Sequence, residues 1–156
     1  MHPRSEPKKA ILPPAQQEIW QHLAAASPPS GSVKVSYFGN LGLGHIIDPY
    51  QTADSVLLVA SLDDLLATKL KAILDRAEAR DYRDIAAMLS AGISLERGLA
   101  AFSKMFHSDP ALPLKAMGFF KDGDLATLPE ADRDFLRAAR DRVTDVPDVR
   151  LKPGLI

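Results

Sequence analysis

The stretch SLDDLLATKLKAILDRAEARDYRDI, residues 61–85, decides the fold. Its apolar residues recur at helical spacing and predict a long helix. With Leu62 as origin and about 100° per residue, Leu66, Leu70, Ile73 and Ala77 fall within roughly 80° of it, with Leu65 and Leu74 at the edges. Lys69 and Arg76, one heptad apart, land on that same apolar face. Lys71, Asp75 and Glu78 take the opposite, solvated face, where charges normally sit. Burying a cation without a partner is expensive, so Lys69 and Arg76 are expected to face an anion. That anion is either a carboxylate or a phosphate, and the choice between them decides the function.

Further helices follow this one. Ser61 and Asp64 form a capping box at its start. Asp81 with Asp84 marks a cap for a second helix, running to about Leu89 and ended by Gly92. Ser94 opens a third through about Phe106, where Phe102, Met105 and Phe106 stand at core spacing. A short helix covers Pro113 to Phe119, and Thr127, Pro129 and Glu130 start a last one reaching about Arg142. The tail after Val143 carries Pro147 and Pro153 and is expected to be extended.

Upstream the pattern changes. Residues 1–10 read as a polar, disordered tail. A helix is predicted over Pro14 to Ala26, with Pro at its first turn and Ile19, Trp20 and Leu23 as its stripe. SPPSGS (27–32) reads as a linker, and VKVSYF (33–38) alternates like a strand. GNLGLG (39–44) reads as a hairpin turn, because its glycine spacing is not that of a nucleotide loop. His45–Ile47 is a candidate return strand, and VLLVA (56–60) a short strand of the buried type. The architecture expected is α+β: an N-terminal helix and partial sheet (11–60), a helical domain (61–142) and an extended tail (143–156).

Bulk properties narrow the class. The chain has 156 residues, enough for one domain with a real core. Apolar residues make up 46%, charged residues 25%, and the net charge is −1, so no global field draws nucleic acid or membrane surfaces. With no cysteine, disulfides and thiolate metal sites are excluded. No apolar run approaches a membrane span and no signal peptide is evident, which fits a cytoplasmic protein.

Residues able to carry chemistry gather around residues 61–85. Lys69, Arg76 and Arg80 share one face, with Asp81 and Asp84 just beyond. One reading is a structural salt-bridge network with a cap. The other is a phosphate-binding face, since Lys supplies a point charge and Arg a bidentate fork suited to a triphosphate or a nucleic-acid backbone. Asp122-Gly-Asp124 is an Asp-x-Asp that reads first as a turn. Asp63 and Asp64 are adjacent, point apart and suit the helix dipole better than a metal. The four histidines lack ligand spacing, and no serine has the context of a catalytic triad.

The pattern Ser-x3-Leu-x3-Lys-x6-Arg-x3-Arg-Asp-x2-Asp, filled by Ser61, Leu65, Lys69, Arg76, Arg80, Asp81 and Asp84, resembles a motif of the AbiEii/AbiGii-type nucleotidyltransferase toxins of the DNA polymerase β-like superfamily. The resemblance continues through ILPPAQQEIWQHLA (11–24), VKVSYFGNLGLG (33–44), GISLERGLAAFSKMF (92–106) and FFKDGDLATLPEADR (119–133), from about Ile11 to Arg137. It implies catalytic roles for Lys69, Asp81 and Asp84, and nucleotide-phosphate binding by Lys34, Lys69, Arg76 and Arg80. It also implies Mg²⁺ and an NTP in an active member, with tRNA or another RNA and a cognate antitoxin as partners.

One departure stands out. The resemblance leads one to expect, after the first helix, a glycine turn for the nucleotide phosphates and a strand bearing a metal-holding Asp-x-Asp. Here SPPSGS joins Ala26 directly to VKVSYF, with Gly31-Ser32 but no helix and no Asp-x-Asp between them, so the catalytic segment is expected to be missing. Ser36 stands where a carboxylate is often seen. The expectation is therefore a truncated, inactive nucleotidyltransferase-like protein that retains nucleotide or RNA phosphate binding. The alternatives are a fragment of an active NTP- and Mg²⁺-using toxin, or a helical interaction module whose cations pair internally. If sheet strands are missing, the VKVSYF edge would recruit a partner or self-associate.

Overall fold

The computed structural model of the chain describes residues 42–154. The tail at 1–10, the helix at 14–26, the linker, the VKVSYF strand with Lys34 and the first part of the glycine turn lie outside the described residues. Within them the fold is α+β: one small antiparallel sheet and five α-helices. The strands are β1 (Tyr50–Gln51) and β2 (Leu58–Val59), and the helices are α1 (Leu62–Asp75), α2 (Ala79–Ser90), α3 (Leu95–Phe106), α4 (Ala111–Ala116) and α5 (Glu130–Asp141), with a 3-10 turn at Leu125–Thr127 before α5.

Helix α1 is the hub. Its buried stripe of Leu62, Leu66, Leu70 and Ile73 packs against α3, α2 and α4. On α3 the stripe meets Leu95, Leu99 and Phe102, and the closest approach is at Gly98, where a Cβ would lie 2.5 Å from Leu66 Cδ2. Helix α2 contributes Tyr82, Ile85 and Met88, and α5 closes the far side with the fully buried Leu136. Met105 and Phe106 pack at the core's margin, while Phe102 lies at its centre.

Several predicted boundaries hold. Ser61 caps α1: its Oγ accepts the Asp64 N–H at 3.1 Å and donates to Asp64 Oδ2 at 2.6 Å. Ser94 caps α3 by accepting the Arg97 N–H. Gly92, with φ +90°, ends the second helix, and the Ile93 N–H reaches back to Met88 O.

Three expectations need correction. The first helix is shorter than its apolar periodicity implies, because α1 stops at Asp75 and Arg76 is extended at φ −153°, ψ 140°. Arg76 and Ala77 therefore leave the apolar face that periodicity gave them, and Asp81 and Asp84 sit inside α2 rather than before it. The strand expected at His45–Ile47 is a single bridge, His45 to Lys152, with two backbone hydrogen bonds. The VLLVA strand is not buried: Val56, Leu57 and Leu58 are 73%, 61% and 58% exposed. A short apolar run gives no information on which of its sides will be covered.

The sheet is a hairpin that the composition signals missed. Tyr50 pairs with Val59 and Gln51 with Leu58. Thr52 organises its turn, since its Oγ1 accepts the Leu57 N–H and donates to Asp54 Oδ1, while Ser55 takes a positive φ of 60°. Beyond α5 the described residues form no helix; the segment packs Val146 on the core, pairs Asp148 with Lys104 at 2.7 Å, and returns to His45 through Lys152. No helix among the described residues is long and apolar enough to cross a membrane.

Candidate functional site

The site is built on the break between α1 and α2. Lys69 projects from the third turn of α1, and Asp81 and Asp84 rise from the first turns of α2. Lys69 Nζ donates to Asp81 Oδ1 at 3.1 Å and to Asp84 Oδ2 at 2.5 Å. From the break itself, Arg76 donates Nε to Asp81 Oδ2 at 2.9 Å and a terminal nitrogen to Oδ1 at 3.4 Å. Both oxygens of Asp81 are thus engaged by cations.

Burial is graded across the group. The Asp81 side chain is 0% exposed, Lys69 26%, Asp84 33% and Arg76 45%. Burial by itself would raise the Asp81 carboxyl, but hydrogen bonds from Arg76 and then Lys69 outweigh it and hold the group below the usual carboxylate range. The anion that Lys69 and Arg76 required is a carboxylate.

Arg80 does not join them directly. It is 65% exposed and its Nε lies 3.0 Å from Glu78 Oε2 in an ion pair, while Glu78 Oε1 lies 3.7 Å from Arg76 Nε. Glu78, which the sequence reading placed on the solvated face, is the link between the two arginines. The connected group contains three cations (Lys69, Arg76, Arg80) and three carboxylates (Glu78, Asp81, Asp84), so it is balanced in charge.

Arg76 also lines a cleft of about 270 Å³ with Ile73, Leu74, Tyr82, Phe119 and Asp122. Phe119 is 47% exposed there. The Tyr82 hydroxyl donates to Ala116 O at 3.3 Å, and burial, with a smaller push from the Asp122 charge, raises its pKa so that it stays neutral.

Asp122-Gly-Asp124 is a turn, as its composition implies, but it also has a tertiary task. Asp124 Oδ1 accepts the Ala79 N–H at 2.6 Å and so caps α2 from 45 residues away. Its spacing from the break hid that partnership. Asp63 and Asp64 divide as adjacent helical residues must: Asp63 pairs with Arg97 at 2.9 Å, and buried Asp64 accepts the Ile46 N–H at 2.8 Å.

A divalent metal, which the resemblance implies, does not fit these residues. Among the described residues no three His, Asp or Glu side chains stand together as a metal site. Asp81 has both oxygens committed to cations and Asp84 is held by Lys69.

A family model described as "Nucleotidyl transferase AbiEii toxin, Type IV TA system" matches residues 7–152. No curated protein and no solved structure matches the chain. With that match spanning nearly its whole length, the chain belongs to the AbiEii nucleotidyl transferase toxin family of type IV toxin–antitoxin systems.

Proposed function

We propose that this chain is a nucleotidyltransferase-like member of its family that binds nucleotide or RNA phosphate without carrying out transfer alone. The observation that carries the reading is the posture of Arg76 and Lys69. Each is fixed by a wholly buried carboxylate, yet each side chain stays partly exposed, Lys69 at 26% and Arg76 at 45%. Cations held this way lose little side-chain entropy when an anion arrives, and a guanidinium fork suits a phosphate. The half-exposed ring of Phe119, in the cleft that Arg76 lines, offers a face for a base to stack upon.

The reading of no transfer is supported by the sequence between Ala26 and Val33, SPPSGS, which holds Gly31-Ser32 but no Asp-x-Asp. Metal-held charge is the main stabilisation of a transferring phosphoryl group, so a site without those carboxylates loses most of its catalytic power. Membership of a type IV toxin–antitoxin family implies a cognate antitoxin as partner.

A second reading has its own observation. The three cations are matched by three carboxylates, so the network also suits a purely structural role. Titration with ATP, GTP and inorganic triphosphate, followed by calorimetry, separates the two. Binding that weakens in Arg76→Ala, with Phe119→Ala affecting the nucleotides but not triphosphate, is expected; no heat with any probe leaves the structural reading. Incubation with Mg²⁺, labelled nucleotide and tRNA should give no incorporation. Incorporation that vanishes in Lys69→Ala would establish an active enzyme instead.

A further inference from the structure

The geometry of the ion-pair cluster depends on a helix break that the local sequence does not call for. Residues 75–79, Asp-Arg-Ala-Glu-Ala, contain no glycine, proline or β-branched residue, and Ala, Arg and Glu are among the strongest helix formers. Yet Arg76 and Glu78 both adopt extended backbone, and Glu78 supplies no side-chain cap. A helix continued through this stretch would separate Lys69 from Asp81, twelve residues on, by about 18 Å along its axis. In the structure their charged atoms are 3.1 Å apart. The break is therefore the condition for the pair.

The contacts that impose the break come from one turn. Asp124 Oδ1 takes the Ala79 N–H at 2.6 Å, supplying the cap that Glu78 does not. Gly123, at φ +54°, lies so close to the break that a Cβ there would meet Ala77 O at 2.2 Å and Ala77 Cβ at 3.2 Å. The neighbouring Leu125 anchors the turn in the core at 1% exposure.

We propose that Gly123 and Asp124 form a latch: positioning residues that hold the α1–α2 break and thereby set Asp81 between Lys69 and Arg76. The latch makes no hydrogen bond or ion pair with the side chains of the cluster; it acts through the backbone of residues 77–79. Releasing it lets residues 76–78 sample helix, draws Arg76 back toward the apolar face that periodicity assigns it, and withdraws Asp81 from its two cations. The effect on phosphate binding rests on the function proposed above, whereas the effect on Asp81 does not.

The test uses the full chain and a series at position 124. Asp124→Asn keeps an acceptor oxygen and is expected to behave as the wild type. Asp124→Ala, and Gly123→Ala by steric contact, are expected to raise the Asp81 carboxyl titration seen by carbon NMR and to speed exchange of the Ala79 amide by about tenfold, leaving α3 amides unchanged. Asp124→Ser, with a shorter acceptor, should fall between and serves if the alanine variant does not fold. An unmoved Asp81 titration in folded Ala or Ser variants overturns the latch, as does a uniform rise in exchange across α3, or an Asn variant as perturbed as Ala. Triphosphate binding is measured on the same proteins: if wild type binds none while Asp81 responds as expected, the latch stands and the phosphate reading falls.

Discussion

Arg76 and Asp81 meet at 2.9 Å with opposite exposures: the guanidinium is 45% exposed and the carboxylate not at all. The asymmetry makes the carboxylate dependent on its cations more than the reverse. Removing Asp81 leaves Lys69 with Asp84, and Arg76 with Glu78 and water. Removing Lys69 and Arg76 together leaves a buried charge without a counter-ion.

The double variant Lys69→Met/Arg76→Met is therefore expected to lose about 3–5 kcal/mol of stability in urea unfolding, since breaking a buried pair strands its partner. Adding Asp81→Asn to it should restore most of the loss. Equal stability of the double and triple variants would show that Asp81 carries no destabilising charge once its two cations are gone.

The same pair sets a pH dependence. The Asp81 carboxyl is lowered in the folded protein, because Arg76 and Lys69 more than offset the opposing effect of burial. A lowered folded pKa means stability that is present above the unfolded value of about 3.9 and is lost as pH falls through the folded value. Acid unfolding should thus steepen below about pH 4, and Asp81→Asn should flatten that limb. An unchanged acid limb in a folded Asp81→Asn protein would assign acid sensitivity to other groups.

Gly98 sits at the end of the first turn of α3, where alanine would ordinarily gain up to about 1 kcal/mol from helix propensity. Here the added methyl would lie 2.5 Å from Cδ2 and 2.7 Å from Cγ of Leu66, which is wholly buried and would have to shift. Overpacking costs about 1–3 kcal/mol, so Gly98→Ala should be destabilising on balance. Combining it with Leu66→Ala should recover part of that loss, a coupling that two independent sites would not show.

Much of the helical frame was legible in the sequence. Ser61, Gly92 and Ser94 mark boundaries through local hydrogen bonds or backbone freedom, and local chemistry is what a sequence displays directly. The residues of the cluster were legible too, as cations on an apolar face that needed anions. Their arrangement was not. Periodicity carried Arg76 along α1 because nothing between Asp75 and Ala79 opposes a helix, and the opposing force comes from Asp124. A cap supplied from 45 residues away leaves no local signature. For the same reason Asp64 showed itself as a capping residue but not as the anchor of Ile46.

That anchor gives the last prediction. Asp64, 4% exposed, accepts the Ser61 hydroxyl at 2.6 Å and the backbone N–H groups of Ile46 at 2.8 Å and Ile47 at 3.4 Å. The next residue upstream, His45, holds the C-terminal segment through two backbone hydrogen bonds with Lys152. One carboxylate therefore ties together the start of α1, the segment before the hairpin and, through one further residue, the returning tail. Asp64→Ala removes acceptors for buried donors and should cost about 2 kcal/mol, within the range for hydrogen bonds to charged groups. Amide exchange should accelerate first at Ile46 and Lys152, ahead of the α3 core, because the tether fails locally before the fold opens. Exchange that rises at Ile46 while Lys152 stays protected would show that the tail is held by its own contacts, such as Asp148 with Lys104, independently of the helix cap.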